Sequence, residues 1–307
     1  MTENPFEDGC AWIDGGYVPM AEARIPILDS GFTRSDLTHD VVSVWNGRFF
    51  RLEAHLDRFE KNFNRLRMTH RLSQQERREV LFECVRRSGI KNAYVQMIMT
   101  RGVPPKGVRD PRQFENRFYA FAIPYVWILN MEDQKIGTHI VICRDTVRIP
   151  TQAVDPTVKN FHWGDLVRGM FEAYDRGGAL AVLTDSDGNI TEGPGFNLFA
   201  YHKGVLRTPA AGVLEGITRM TVLELAEEMK IPTSCEMFGM DVLNEADEIF
   251  LSSTAGGVLP VTTKDGSPVK EGKPGKVTMQ LRKRYWEAHD EDRWSTPVDY
   301  PGREQGA

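Results

Sequence analysis

Between Ala11 and about Leu52 apolar positions come in short runs interrupted by Asp14-Gly15-Gly16 and Asn46-Gly47. The stretch VVSVWNGRFFRL carries β-branched and aromatic residues on both sides of its Asn-Gly, which predicts hairpin strands. At Glu53 the period changes: Leu56, Phe59, Phe63 and Leu66 fall on one stripe and predict a helix over 53–66. Ser73 and Glu76 form a capping box that opens a second helix running to about Ser88 and stopped by Gly89. Strands are expected over 93–101 and 118–123, and the polar, Pro- and Gly-bearing loop between them is long enough to suspect a functional role.

Residues 124–136, ending in the polar NMEDQK, break the pattern and are expected to link an N-terminal domain (1–123) to a C-terminal one (137–290). The second domain opens with an apolar strand over 138–143. After a helix following residue 163 come strands over 179–184, 196–201 and 205–208, with turns at 186–189 and 202–204. A helix over 218–229, a strand ending in IFLSSTAGG and a helix over 277–289 complete it. The charged tail 291–307 reads as disordered. Strands outnumber helices and are often joined by hairpins, which favours an α+β fold over a doubly wound sheet.

With 307 residues, roughly two domains are expected. A net charge of -5 and a pI near 5.9 provide no general attraction to phosphate backbones or acidic lipid, so nucleic acid and membrane surfaces are poor partners. Arg77-Arg78 and Arg86-Arg87 alternate with Glu76, Glu79 and Glu83, which reads as a solvated helix face. Cys10, Cys84, Cys143 and Cys235 are far apart and have no metal-ligand spacing. They fit a reducing compartment, and a cytoplasmic location is expected in the absence of a leader-like segment.

The chemistry is concentrated in the second half. Lys159, in DPTVKNFHWGDL, precedes a helix whose Leu166, Met170, Ala173 and Tyr174 predict a buried face. Phe161 and Trp163 nearby would desolvate the ammonium and make the free amine a usable nucleophile, although taken alone the segment reads as a solvated lysine. In ITEGPGFNLF, Glu192 precedes Gly-Pro-Gly and stands at a kinked junction; the plain alternative is a turn glutamate without a role. In GVLEGITR, the N–H groups of Gly216, Ile217 and Thr218 at a helix start suit a phosphate, or Thr218 simply caps the helix. In SSTAGG, hydroxyls and glycines end an apolar strand. One hypothesis uses all four: a phosphate-bearing aldehyde cofactor, pyridoxal phosphate, held on a lysine with a carboxylate at its pyridine nitrogen.

The motifs TVKNFHWGDL, EAYDRGG, TEGPGFNLF, GVLEGITR and SSTAGGVLPV resemble, in order and spacing, those of the fold type IV pyridoxal-phosphate aminotransferases, and most of all the fungal (R)-selective amine transaminases. The resemblance runs from about Trp12 to Trp286. It implies a two-domain fold, a smaller N-terminal α/β domain and a larger β-barrel-like C-terminal domain with helices. It also implies a homodimer acting on a small amine donor and a keto acceptor. By the same resemblance Lys159 forms the Schiff base and moves the proton at substrate Cα, and Glu192 meets the pyridine nitrogen. Arg58 of HLDRF, Ile217, Thr218 and Thr254 hold the phosphate. Tyr94 and Trp163 line the pocket, and Arg109, with Arg112 as the alternative, is the mobile arginine for a substrate carboxylate. The sequence departs from the amine transaminases at Arg34, where histidine is usual, and at His39, where an aromatic is usual. Arg34 would favour carboxylated substrates or else point to solvent or a partner subunit. His39 makes the wall more polar and titratable near neutral pH.

Overall fold

The computed structural model describes residues 4–300, which divide into two compact units. The first comprises residues 4–126, 158–161 and 289–300, and the second 127–157 and 162–288.

In the first unit seven strands form an antiparallel sheet. Their order is Ser295–Pro297, Arg48–Phe50, Leu37–Trp45, Ala93–Thr100, Arg117–Pro124, Cys10–Ile13, Gly16–Pro19. Asn46 and Gly47 both take positive φ, 48° and 74°, as the tight turn between the second and third of these requires. Alternation along the strands puts Val42, Val44, Val95, Met97 and Met99 on one face, where the helices Leu52–Arg65 and Gln74–Ser88 cover them with Leu56, Phe59, Phe63, Leu81 and Val85. The second helix begins with the expected capping box, Ser73 accepting from Glu76 N, and ends at Gly89 with φ 72°. Its arginines are not all solvated. Arg77 is buried, donates to Glu60 at 2.9 Å and to the Leu72 main chain, and lies over the Phe63 ring, because its position turns toward the neighbouring helix.

The second unit holds a mixed, nine-stranded sheet that curls as a half-barrel. The path runs Thr233–Cys235, Val205–Thr208, Phe196–His202, Glu248–Ser253, Gly257–Lys264, Thr138–Val147, Leu180–Thr184. Off this path, Glu192–Gly193 pairs with Phe196–His202, and Ser267–Pro268 with Gly257–Lys264. The last two strands on the path are parallel, and the crossover between them carries the helix Gly164–Asp175. That helix buries Leu166, Gly169 and Ala173 against Val141, Cys143, Ala181 and Leu183. A Cβ at Gly169 would stand 2.8 Å from Leu183 Cδ1 and 3.2 Å from Cys143 Sγ, so any larger residue would have to displace the Leu183 side chain. Tyr174, expected on the buried face, is half exposed: the small Gly169, which hydropathy does not single out, forms the contact face.

Several expected boundaries move. Within 124–136, Pro124 closes a strand and Met131–Ile136 is a helix capped by Asn130, while the units part between Val126 and Trp127. The span 137–290 is interrupted by 158–161, which belong to the first unit. The charged tail is ordered as far as Tyr300: buried Trp294 and Val298 anchor it, and Ser295–Pro297 pairs with Arg48–Phe50. The remainder of the tail, 301–307, and residues 1–3 lie outside the described residues.

Candidate active site

In the first unit the 158–161 segment is fixed to the strand Leu37–Trp45 through the lysine itself. The main-chain oxygen of Lys159 accepts from Thr38 Oγ1 at 2.7 Å and from His39 N at 3.1 Å. Phe161 packs its ring 4.4 Å from that of His39.

The next strand position, Asp40, points to the helix-covered face and is fully buried. Its carboxylate accepts from His55 Nδ1 at 2.7 Å and from Arg58 Nε and Nη2 at 2.7 and 2.8 Å. His55 and Arg58 are three residues apart on one helix face, so both reach the same group. Burial alone would raise the Asp40 carboxyl, but Arg58 and then His55 outweigh it and hold it well below the usual carboxylate range. Arg58, which without the family resemblance reads as a surface helix residue, is drawn inward by this fork until its side chain is 11% exposed.

His39 lies on the opposite sheet face, 4% exposed, with Gln96 Nε2 3.3 Å from its Nδ1. Burial, followed by the charge of Lys159, holds the imidazole well below its ordinary pKa; Asp40 and the Asn160 main chain act the other way and Arg58 adds to the depression. The expectation of a wall titratable near neutral pH is therefore overturned, and His39 is neutral there. Tyr94, on the same face as Gln96, has its phenol pushed up to about 12 by burial and, secondarily, by Asp40.

The arginines expected at the pocket mouth do not join this cluster. Arg34 is exposed in the last turn of the short helix Ser30–Arg34. Arg112 is held by Asp110 through Nε at 2.9 Å and Nη2 at 2.6 Å, whereas Arg109 is exposed and makes no ion pair among the described residues.

In the second unit Glu192 is buried, and it is a strand residue rather than a turn glutamate. Its Oε1 accepts from Arg148 Nη2 at 2.9 Å and Nε at 3.3 Å; its Oε2 accepts from Leu214 N at 2.9 Å and Asn197 Nδ2 at 3.5 Å. Arg148 also donates to Asp165 at 2.6 Å. Burial alone would lower the Arg148 guanidinium, but Glu192 and Asp165 reverse that and raise it. Asn197 donates in addition to Leu214 O at 2.9 Å, tying the carboxylate to the loop that enters the helix Ile217–Glu228. At that entrance a Cβ on Gly216 would overlap Asn197 Oδ1, so only glycine permits the approach. The first-turn N–H groups of Ile217 and Thr218 have no partner within the helix, a geometry that suits an anion. Thr254 follows Ser253, whose hydroxyl donates to Gly195 O at 2.8 Å, and Ser252 pairs in register with Asn197. Trp163 precedes the helix Gly164–Asp175, with its ring edge 4.0 Å from where a Cβ on Gly195 would lie.

One unit thus gathers Lys159, His39, Arg58 and Tyr94, and the other gathers Glu192 with the Ile217–Thr218 helix start. Taken separately, the amine and guanidinium of the first unit suit an aldehyde and a phosphate, and the pinned carboxylate and helix N–H groups of the second suit a pyridinium nitrogen and an anion. Asp40, His55, Gln96, Arg148, Asp165 and Asn197 were not legible as site residues. Only His55, three positions from Arg58 in HLDRF, carried a local signal.

Comparison with known proteins agrees with this chemistry. Residues 38–263 match the family described as amino-transferase class IV. A D-alanine aminotransferase of Staphylococcus aureus is 28% identical over 91% of this chain and 98% of its own length. The T.th. branched-chain amino acid aminotransferase, solved with pyridoxamine 5'-phosphate, superposes with a TM-score of 0.88 at 27% identity, covering 96% of this chain and 100% of that one. The branched-chain aminotransferase of Thermoproteus uzoniensis with norvaline gives 0.86 at 26%, covering 94% and 99%.

Proposed function

Because the chain belongs to the class IV aminotransferases, we propose that it moves an amino group from an (R)-amine or D-alanine to a ketone or pyruvate by ping-pong half-reactions. It is a pyridoxal-phosphate-dependent aminotransferase of fold type IV. The observation that carries the reaction class is that the matched span holds Lys159, Glu192 and Arg58, each fixed by neighbours that suit this cofactor. When bound, pyridoxal phosphate supplies a ring that absorbs negative charge from substrate Cα.

In this reading Lys159 holds the cofactor through its amine and then carries the proton to and from substrate Cα. Glu192 would accept a hydrogen bond from a protonated pyridine nitrogen, and Arg148 keeps that carboxylate in place. In the first unit Arg58, oriented by Asp40, would hold phosphate through its guanidinium, and in the second Ile217, Thr218 and Thr254 would offer phosphate their N–H and hydroxyl groups. Tyr94 and His39 are the substrate-facing residues of the first unit in this reading, and Trp163 that of the second. Arg109, which has no ion-pair partner among the described residues where Arg112 is engaged, turns to a substrate carboxylate, and Arg34 adds positive charge at the mouth. A D-amino-acid or branched-chain aminotransferase is the second reading, supported by the names of the relatives.

The enzyme works in this reading as a cytoplasmic homodimer. Ile27, Leu28 and Phe32, each more than 60% exposed within one short stretch, support a covered surface there. The test of function is spectroscopic. Protein loaded with pyridoxal phosphate should be yellow, bleach with its donor and recover with pyruvate. A panel of both 1-phenylethylamine enantiomers, both alanines and L-leucine assigns the donor; bleaching by L-leucine alone would overturn the (R)-selective reading, and no bleaching by any donor would overturn transamination.

A further inference from the structure

Two cysteines that lie far apart in sequence meet in the core of the first unit. Cys10 opens the strand Cys10–Ile13, and Cys84 lies in the helix Gln74–Ser88, which packs on that strand. Both are fully buried, in one hydrophobic cluster, and both are reduced. Cys10 and Trp12 point to the helix-covered face of the sheet, Tyr17 stands opposite Trp12 in the hairpin register, and the thiols of Cys10 and Cys84 approach within hydrogen-bonding reach of each other. A buried cysteine that only fills space needs no second thiol beside it.

The surroundings make the two sulfurs unequal. Cys84 hydrogen-bonds Cys10 and, helped by Arg87, holds the Cys10 thiol below its ordinary value against burial and Glu83. Cys10 and burial push Cys84 the other way, well up. One sulfur is thus the readier nucleophile and its neighbour keeps the proton, which is the division between an attacking and a resolving thiol. The pair also lies near the surface. Tyr17, only partly buried, is influenced by both thiols, and the exposed Arg87 rests its guanidinium 4.6 Å from the Tyr17 ring and 5.8 Å from that of Phe6. Arg87 is paired with Glu83 at 2.8 Å, and its main-chain oxygen accepts from Asn4 Nδ2 at 3.0 Å. Contacts of this kind, exposed and few, open locally at far lower cost than the core beneath them.

We propose that Cys10 and Cys84 are a redox modification site, closed to a disulfide by a hydroperoxide and reopened by a thiol, which fastens the edge hairpin Cys10–Pro19 to the helix Gln74–Ser88. The Cys10 thiolate attacks one peroxide oxygen; the O–O bond breaks, the departing hydroxide takes up the Cys10 proton as water, and Cys10 is left as the sulfenic acid. The Cys84 sulfur then attacks that sulfur; the S–O bond breaks, and the hydroxide leaves as a second water with the Cys84 proton. The two thiols give up two electrons and the peroxide receives them. The site stands apart from Lys159 and Glu192, so it goes beyond the transaminase reading and does not depend on it.

Peptide mapping of the whole protein tests it. Reduced protein is treated with hydrogen peroxide, unfolded in iodoacetamide, digested and weighed. The expected product is a Cys10 peptide joined to a Cys84 peptide, about two mass units lighter than the two reduced peptides together and separated again by dithiothreitol. Cys10 and Cys84 both recovered alkylated, under peroxide that oxidises the exposed Cys235, would overturn the proposal, as would a bridge from either of them to Cys143 or Cys235. The order of attack is read with dimedone, which traps sulfenic acid: C84S should carry the label on Cys10, and C10S should leave Cys84 unlabelled. Label on Cys84 in C10S at the level seen on Cys10 in C84S would overturn the assignment of roles. The map of the unsubstituted protein decides the bridge itself even where a serine in this core prevents folding.

Discussion

Arg148 shows how much a single side chain can be asked to neutralise. It is buried between Glu192 and Asp165, and removing it takes away the guanidinium that these two carboxylates share. Arg148→Met should therefore destabilise the protein by about 3–5 kcal/mol in urea unfolding, the range for breaking a buried pair. If the loss is under about 1 kcal/mol, the network is solvated and the geometry described for Glu192 is wrong. Histidines give the pH dependence. His39 and His55 both have folded pKa values held below their ordinary 6.5, chiefly by burial. The unfolded chain therefore takes up protons that the folded one refuses once the pH falls below about 6.5, and stability drops by up to about 1.4 kcal/mol per pH unit for each histidine. Asp40 works in the same direction only at much lower pH: its contribution is complete above the ordinary carboxylate range and is lost as pH falls toward its depressed folded value. Unfolding free energies measured at pH 8, 7, 6 and 5 should be level at first and then decline. A flat profile across pH 6.5 to 5 would show that neither histidine is buried in the neutral form.

Helices and hairpins were the legible level. Ser73 with Glu76, Gly89, and Asn46-Gly47 act over a few residues, and each stands in the structure where its pattern put it. Ser73→Ala should lower stability by about 1 kcal/mol in thermal or chemical unfolding, the usual value of an N-cap; no change would show that the helix end is held by tertiary packing alone. The unread parts are of another kind. Arg148 and Glu192 are 44 positions apart, and Arg58 reaches Asp40 across 18. Nothing local in ICRDTVRIPT marks which arginine turns inward, and nothing in LTHDVV marks Asp40 as the group that orients Arg58. Lys159 itself became persuasive only beside three other motifs. The helix face that includes Gly169 was missed because closeness of packing, not hydropathy, selects that residue.

Across the whole molecule, apolar surface is left over. Ile25, Ile27, Leu28 and Phe32 are exposed within eight positions, and the helix Gly164–Asp175 exposes Val167, Phe171 and Tyr174. In the homodimer proposed above, replacing Ile27 and Phe32 together by aspartate should give a monomer in light scattering at micromolar concentration; a dimer that persists would place the interface elsewhere, and a monomeric parent protein would overturn the dimer.

The bond from the strand Leu37–Trp45 to the Lys159 carbonyl also bears on how the protein can be taken apart. Expressing residues 127–288 alone would yield a fragment that keeps the lysine in its covalent sequence but lacks the two donors, Thr38 Oγ1 and His39 N, that hold its peptide in place. Such a fragment would retain Glu192 and the helix start at Ile217, yet leave the Lys159 peptide unfastened. A gene cut between the two units would not separate a cofactor domain from an accessory one, since each half would inherit an incomplete set of constraints. Complementation by mixing the fragments would have to rebuild that backbone staple before the Lys159 peptide was held as it is in the whole chain.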